Sequence, residues 1–160
     1  KYYLDAIKRD GIPYELIEKA LPTIEGEVND ILAQMVDFGI VLEMDGKNIN
    51  TYLAYDDDNV WPLELSSGME RFISSLAMRV GLINVCNLPR ANFLAIDEGF
   101  GNMDSDNLNS IYMLFQYLKS QFQFAFIVSH IESMRDTVDS LLEITKEKGF
   151  SQLKLPTKFS

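Results

Sequence analysis

Apolar positions change their spacing several times along this chain, and each change marks an element. In KYYLDAIKR, Leu4 and Ile7 stand at helical spacing. Asp10, Gly11, Ile12 and Pro13 interrupt that pattern, since Gly ends helices and Pro starts them. A short helix is predicted over Tyr14–Ala20. After Pro22 and Thr23 comes a second, with Ile24, Val28, Ile31, Leu32 and Met35 on one face. From Phe38 the period shortens. Phe38–Met44 and Ile49–Tyr55 read as strands joined by Asp45-Gly46-Lys47-Asn48, and Asp-Gly between apolar runs signals a hairpin. Asp56, Asp57, Asp58 and Asn59 form an acidic turn, where solvated turn chemistry outweighs cation binding. Trp61 to Leu65 is expected to be extended, because Pro62 disfavours helix before it.

The second half repeats one theme. Ser66-Ser67-Gly68 opens a long helix, Met69–Asn84, whose apolar face is Phe72, Ile73, Leu76, Ala77, Val80 and Ile83. Phe93, Leu94, Ala95 and Ile96 form a continuous apolar run, which suits a strand buried on both faces. Ser105 is placed to cap a helix over Asp106–Ser120, with Leu108, Ile111, Tyr112, Phe115 and Leu118 as its stripe. Phe124–Val128 reads as a second buried strand ending in Ser129-His130. A short helix over Glu132–Val138 follows. A hairpin around Lys148-Gly149, pairing Leu141–Thr145 with Gln152–Leu155, closes the chain.

Composition narrows the classes. The 160 residues suffice for one domain with a core. The net charge of −10 would repel bare nucleic acid over most of the surface, so DNA contact needs a local patch or a partner. The single cysteine, Cys86, excludes an internal disulfide and a cysteine-based zinc site, and fits a reducing compartment. No apolar run approaches the roughly 20 residues that span a bilayer. The chain does not begin with Met and reads as a piece of something longer.

Candidate chemistry lies in three polar clusters: Ser67-Gly68, Asp97-Glu98 with Asp104, and Ser129-His130. Taken singly, each has a plain structural reading as helix cap, solvated loop or surface histidine. Taken together, they suggest one site. A helix between two buried strands makes those strands parallel neighbours. Their carboxyl ends are then where an open α/β sheet binds ligands. Adjacent carboxylates there are costly to desolvate without a cation nearby. A nucleotide-bound metal ion, or a hydrolytic base beside one, answers that cost.

The order S-S-G-M-E-R-F, F-L-A-I-D-E-G-F-G-N-M-D, F-I-V-S-H resembles the carboxyl-terminal lobe of an ABC-type ATPase, in particular the SMC-like branch that includes SbcC and its eukaryotic counterpart. D-E-G-F-G-x-x-D is typical of SbcC-type heads, where transporters more often carry D-E-P. The resemblance covers nearly the whole chain. It implies an α/β fold: a mostly parallel sheet with flanking helices and a β-hairpin, forming the carboxyl-terminal lobe of an ABC/SMC-type head over residues 11–160. Residues 1–10 would be the end of the returning coiled-coil helix.

Carried over by position, the resemblance implies that Asp97 holds Mg²⁺, that Glu98 orients and deprotonates the attacking water, and that His130 contacts the γ-phosphate of ATP. Asp104, with Gly101, Asn102 and Met103, would be the loop that crosses a head–head interface. Ser67 and Gly68, followed by Glu70, would be the signature that touches the γ-phosphate held by a second head, as suits a helix amino terminus. An alternative register makes Ser66 the signature serine.

Two departures stand out. Met69 occupies the second glycine position of the S-G-G-E pattern, where a side chain hinders close backbone approach to phosphate. And the sequence contains no G-x-x-x-x-G-K-[S/T] phosphate loop. The expectation is therefore half of a head, completed by an amino-terminal lobe. That head would dimerise with ATP and act with an SbcD-like nuclease on DNA, in the cytoplasm and with no membrane association. The rivals are another SMC-like or RecF/RecN-like chromosome ATPase, and a non-catalytic interaction domain on the same fold.

Overall fold

The computed structural model describes residues 11–46, 48–87, 89–98 and 108–158. Helix α1 (Ile12–Leu32) leads into a hairpin of β1 (Gly39–Asp45) and β2 (Asn48–Ala54), and β3 (Val60–Pro62) joins the hairpin's second strand. Helix α2 spans Gly68–Val85. Strand β4 (Phe93–Asp97), helix α3 (Leu108–Gln121) and strand β5 (Phe124–Val128) follow, and β6 (Ser140–Glu147) and β7 (Phe150–Lys158) form a closing hairpin. The architecture is mixed α/β. Among the described residues the strands form three small sheets, and β4–β5 is the parallel pair.

Helix α1 corrects one expectation, because it runs unbroken through Pro22. The missing N–H and the ring's clash with the preceding turn cost roughly 3 kcal/mol. The burial of Leu21, Val28, Ile31 and Leu32 outweighs this, since each fully buried aliphatic side chain is worth about 1.5–3 kcal/mol. Helix α1 lies close against α2: a Cβ built on Gly81 would stand 2.8 Å from Val28 Cγ2. It also seals the free edge of β1. Asn29 Oδ1 accepts from the Ile40 amide at 2.7 Å, and Asn29 Nδ2 donates to the Ile40 carbonyl at 2.9 Å. One helical turn away, Glu25 Oε2 accepts from the Leu42 amide at 2.7 Å. Side chains four apart on a helix share a face, and here they satisfy alternate backbone groups of an edge strand.

The β1–β2 register pairs Asp45 with Asn48, leaving a two-residue turn whose Gly46 has φ +57°. Positive φ there is what a tight hairpin demands. Trp61 to Leu65 is extended only as far as Pro62. Leu63–Leu65 is a 3-10 turn, as is Glu132–Thr137 where a short helix is expected.

The β4–β5 pair corrects a second expectation. Its register runs from Phe93↔Phe124 to Asp97↔Val128. On one face Ile96 is buried, with Leu94 and Ile127 packed against the same core as Ile111, Leu114, Phe115 and Leu118 of α3. The other face is open. Phe93 and Phe124 stack with centroids 5.5 Å apart yet remain 51% and 57% exposed, and Phe126 and Val128 are exposed beside them. The strands are therefore buried on one face, not two. Among the described residues no helix is long and apolar enough to cross a membrane.

Candidate functional site

The sequence-predicted site residues fall in two places. The first is at the carboxyl ends of β4 and β5. Asp97 closes β4 opposite Val128. The Glu98 amide donates to the Val128 carbonyl at 2.9 Å, adding one rung beyond the strand. Glu98 is left-handed, with φ +57°, a conformation that costs a non-glycine residue roughly 1–2 kcal/mol.

Across from it, Ser129 Oγ accepts from the Ile131 amide at 3.2 Å and donates to Met134 Sδ at 3.3 Å. This ties the chain just past β5 to a buried methionine and fixes the turn that carries His130. His130 Nδ1 then stands 3.3 Å from Glu98 Oε1, at the long end of hydrogen-bond range. Both side chains face solvent, at 72% and 65% exposure. A carboxylate and an imidazole 32 residues apart are thus brought together at one edge, next to a second carboxylate. The hard oxygens of Asp97 suit Mg²⁺, which typically takes one or two protein carboxylates and completes its shell with phosphate and water.

The second place is the start of α2. Ser67 is the N-cap, and it forms a reciprocal capping box with Glu70: the Glu70 amide donates to Ser67 Oγ at 3.2 Å and the Ser67 amide to Glu70 Oε2 at 2.7 Å. The amides of Gly68 and Met69 have no partner among the described residues. Ser66 donates its hydroxyl to the Leu63 carbonyl at 2.7 Å, which commits it to the preceding turn. The cap therefore lies at Ser67, not Ser66. Met69 is only 6% exposed and belongs to the core. Its side chain also lines the depression that Ser67 and Glu70 border.

One contributor at this place was not singled out from sequence. Tyr55, just past β2, donates its hydroxyl to Glu70 Oε1 at 2.5 Å. That bond, then burial and the charge of Glu70, push the tyrosine up to about 12. Burial raises Glu70, but the Tyr55 hydroxyl and the Ser67 donors outweigh it and leave the carboxyl below its ordinary value. A tyrosine ending a strand beside an acidic turn gave no sign of a partner 15 residues away.

Among the described residues no hydrogen bond or ion pair joins the two places. Asp104, with Gly101, Asn102 and Met103, lies outside the described residues, as do residues 1–10. The acidic turn is used internally: Asp56 Oδ1 accepts from the amides of Asp58 and Asn59.

No protein-family model matches the chain. It is 33% identical to an uncharacterized protein of Acanthamoeba polyphaga mimivirus over 169 residues, covering 96% of this chain and 12% of that protein. It is 29% identical over 161 residues to the DNA double-strand break repair Rad50 ATPase of Methanococcus maripaludis, covering 96% of this chain and 15% of that one. With the SbcC component of the SbcCD nuclease of Pseudomonas aeruginosa it shares 32% identity over 91 residues, 56% of this chain and 8% of that protein.

Among solved structures, an SMC ATPase studied for ATP-driven dimerization and DNA-stimulated activation superposes with a TM-score of 0.71 at 15% identity. The match covers 91% of this chain and 89% of that one. The SMC head domain of Thermotoga maritima gives 0.62 at 20% identity, covering 91% and 51%.

The chain resembles SbcC and Rad50 ATPases in sequence and shares the fold of SMC heads.

The lobe spans 8% to 15% of the length of these three relatives. Its fold is that of SMC heads, and Asp97, Glu98 and His130 stand at the carboxyl edge of its parallel strand pair.

Proposed function

We propose that this lobe forms the part of an SbcC-like ATPase head that cleaves ATP, and that it works within a DNA double-strand-break repair machine alongside an SbcD-like nuclease. The observation that carries this reading is the Glu98–His130 pair, 3.3 Å apart at the ends of two parallel strands and beside Asp97. Glu98 accepts the proton of the attacking water, a role worth about 10²–10⁴ in rate. His130, oriented by its contact with Glu98, offers its other ring nitrogen to the γ-phosphate. Mg²⁺ held by Asp97 would neutralise phosphate charge. Ser67, Gly68 and Glu70 form the signature end of α2, which meets the nucleotide of a second head through free amides and the helix dipole. Asp104 belongs to the crossing between the two heads.

The phosphate loop comes from an amino-terminal lobe, and the open aromatic face of β4–β5 is the seat we assign to it. Leaving Phe93, Phe124, Phe126 and Val128 in water forfeits burial that large side chains otherwise gain.

The test is Mg-ATP turnover by the full-length protein, and by this lobe alone and mixed with a lobe carrying the phosphate loop. Turnover that needs both lobes and falls about a hundredfold or more in Glu98→Gln, with nucleotide binding retained, is expected. Unchanged turnover in Glu98→Gln would refute the assignment of the base.

A further inference from the structure

We infer that Tyr55 is a positioning residue for the signature: it locks Glu70 in the capping box and so holds Ser67 and the free amides at the start of α2 in one arrangement. The inference rests on the head–head reading above for its consequence, though not for its geometry.

Glu70 has two carboxylate oxygens and two obligations. Oε2 takes the Ser67 amide at 2.7 Å, and Oε1 takes the Tyr55 hydroxyl at 2.5 Å. A capping box alone leaves the N3 carboxylate free to rotate away, and exposed caps are worth only about 1 kcal/mol. A second, charge-assisted bond removes that freedom.

Tyr55 is itself held. Its ring lies 5.8 Å from that of Phe38, and its amide donates to the Asn59 carbonyl at 3.1 Å. The Asp56 carboxylate gathers the amides of Asp58 and Asn59 and the Asn59 side chain, which braces the turn directly after Tyr55. The chain leaves the hairpin at Tyr55, passes through β3 and the 3-10 turn, and returns at Ser67, so the tyrosine closes a loop whose far end is the signature. Tyr55, Ser67, Met69 and Glu70 line one surface depression of about 510 Å³, so the clamp and the signature border the same space.

The experiment uses the full-length protein in a Glu98→Gln background, whose nucleotide binding is measured first and is expected to be retained. Two quantities are read: ATP binding by the monomeric head, and the ATP concentration at which heads dimerise. Tyr55→Phe removes one oxygen and leaves the ring contact with Phe38. Loss of one bond to a charged acceptor corresponds to about tenfold. The expected result is therefore unchanged monomer binding with a dimerisation midpoint raised about tenfold. A general loss of stability would move both quantities.

Glu70→Ala supplies the second variant. It removes the carboxylate that the Tyr55 hydroxyl and the Ser67 amide share, so its midpoint should rise at least as far as in Tyr55→Phe, and adding Tyr55→Phe to it should change little further. A Tyr55→Phe midpoint equal to the parent's would overturn the inference.

Amide exchange at Ser67 and Glu70 in the same samples reads the clamp directly. If the parent does not dimerise with ATP, the head–head reading fails. Faster exchange in Tyr55→Phe would then still support the clamp, and unchanged exchange would sink it.

Discussion

Asn29 makes a quantitative test of how the lobe protects its β-sheet edge. Its carboxamide bonds both the amide and the carbonyl of Ile40, at 2.7 and 2.9 Å, and Ile40 is 1% exposed. Asn29→Ala removes both partners. Each net hydrogen bond is worth about 1 kcal/mol, and leaving a buried group unpaired adds about 1 kcal/mol or more. Water can reach one side of this part-buried contact, so the expected loss is about 2–3 kcal/mol. Glu25 still holds the Leu42 amide, so the damage should stay local. Native-state hydrogen exchange is the right assay, because the Ile40 amide points at α1 and owes its protection to Asn29 rather than to the β1–β2 ladder. At about 1.4 kcal/mol per factor of ten, its exchange should accelerate by about 30- to 150-fold, while the Leu53 amide in β2 changes far less. An Ile40 amide that stays equally protected in Asn29→Ala would refute the view that α1 seals this edge.

Three further outcomes follow from the same contacts. Gly81→Ala should destabilise α1–α2 packing by about 1–2 kcal/mol, seen as a lower denaturant midpoint: the gain of up to about 1 kcal/mol in helix propensity is smaller than the cost of forcing a methyl to 2.8 Å from the stiff, fully buried Val28. The Tyr55–Glu70 clamp should be insensitive to pH from neutrality up to about 10, since the Glu70 carboxyl, held below its ordinary value, is protonated only in acid. A tyrosine raised in the folded state to about 12 stabilises fully below its unfolded value of 10, and that contribution is lost as pH climbs from 10 through 12, so Ser67 amide exchange, corrected for its intrinsic pH dependence, should rise in that window. Met69→Gly, which restores the family's glycine, should lower stability by about 3–5 kcal/mol through the vacated core and the glycine itself, because the Met69 side chain is buried among core residues. An unchanged denaturant midpoint would contradict that placement.

The elements legible in the sequence are those decided within a few residues. Asp45-Gly46 sets a tight turn through the positive φ that Gly46 adopts. Ser67 with Glu70 three positions on writes the start of α2, and the apolar face from Ile73 to Val80 writes its length. The Glu98–His130 pair was also within reach, since a helix between two apolar strands dictates parallel neighbours and hence a shared edge.

What the sequence did not disclose is decided by contacts distant along the chain. Pro22 reads locally as a break, and only the burial of α1 against α2 and β1 overrides it. Tyr55 reads locally as the end of a strand, and its role appears once folding returns Glu70 to it. The β4–β5 strands are the sharpest case. Their continuous apolar runs specify cover on both faces, yet among the described residues only the Leu94–Ile96–Ile127 face meets a core. An apolar run records the environment in which a strand is finally buried, not the fraction of that environment its own segment provides. The stacked Phe93 and Phe124, half exposed here, are therefore apolar surface that the strand sequence writes for burial and that no described residue covers.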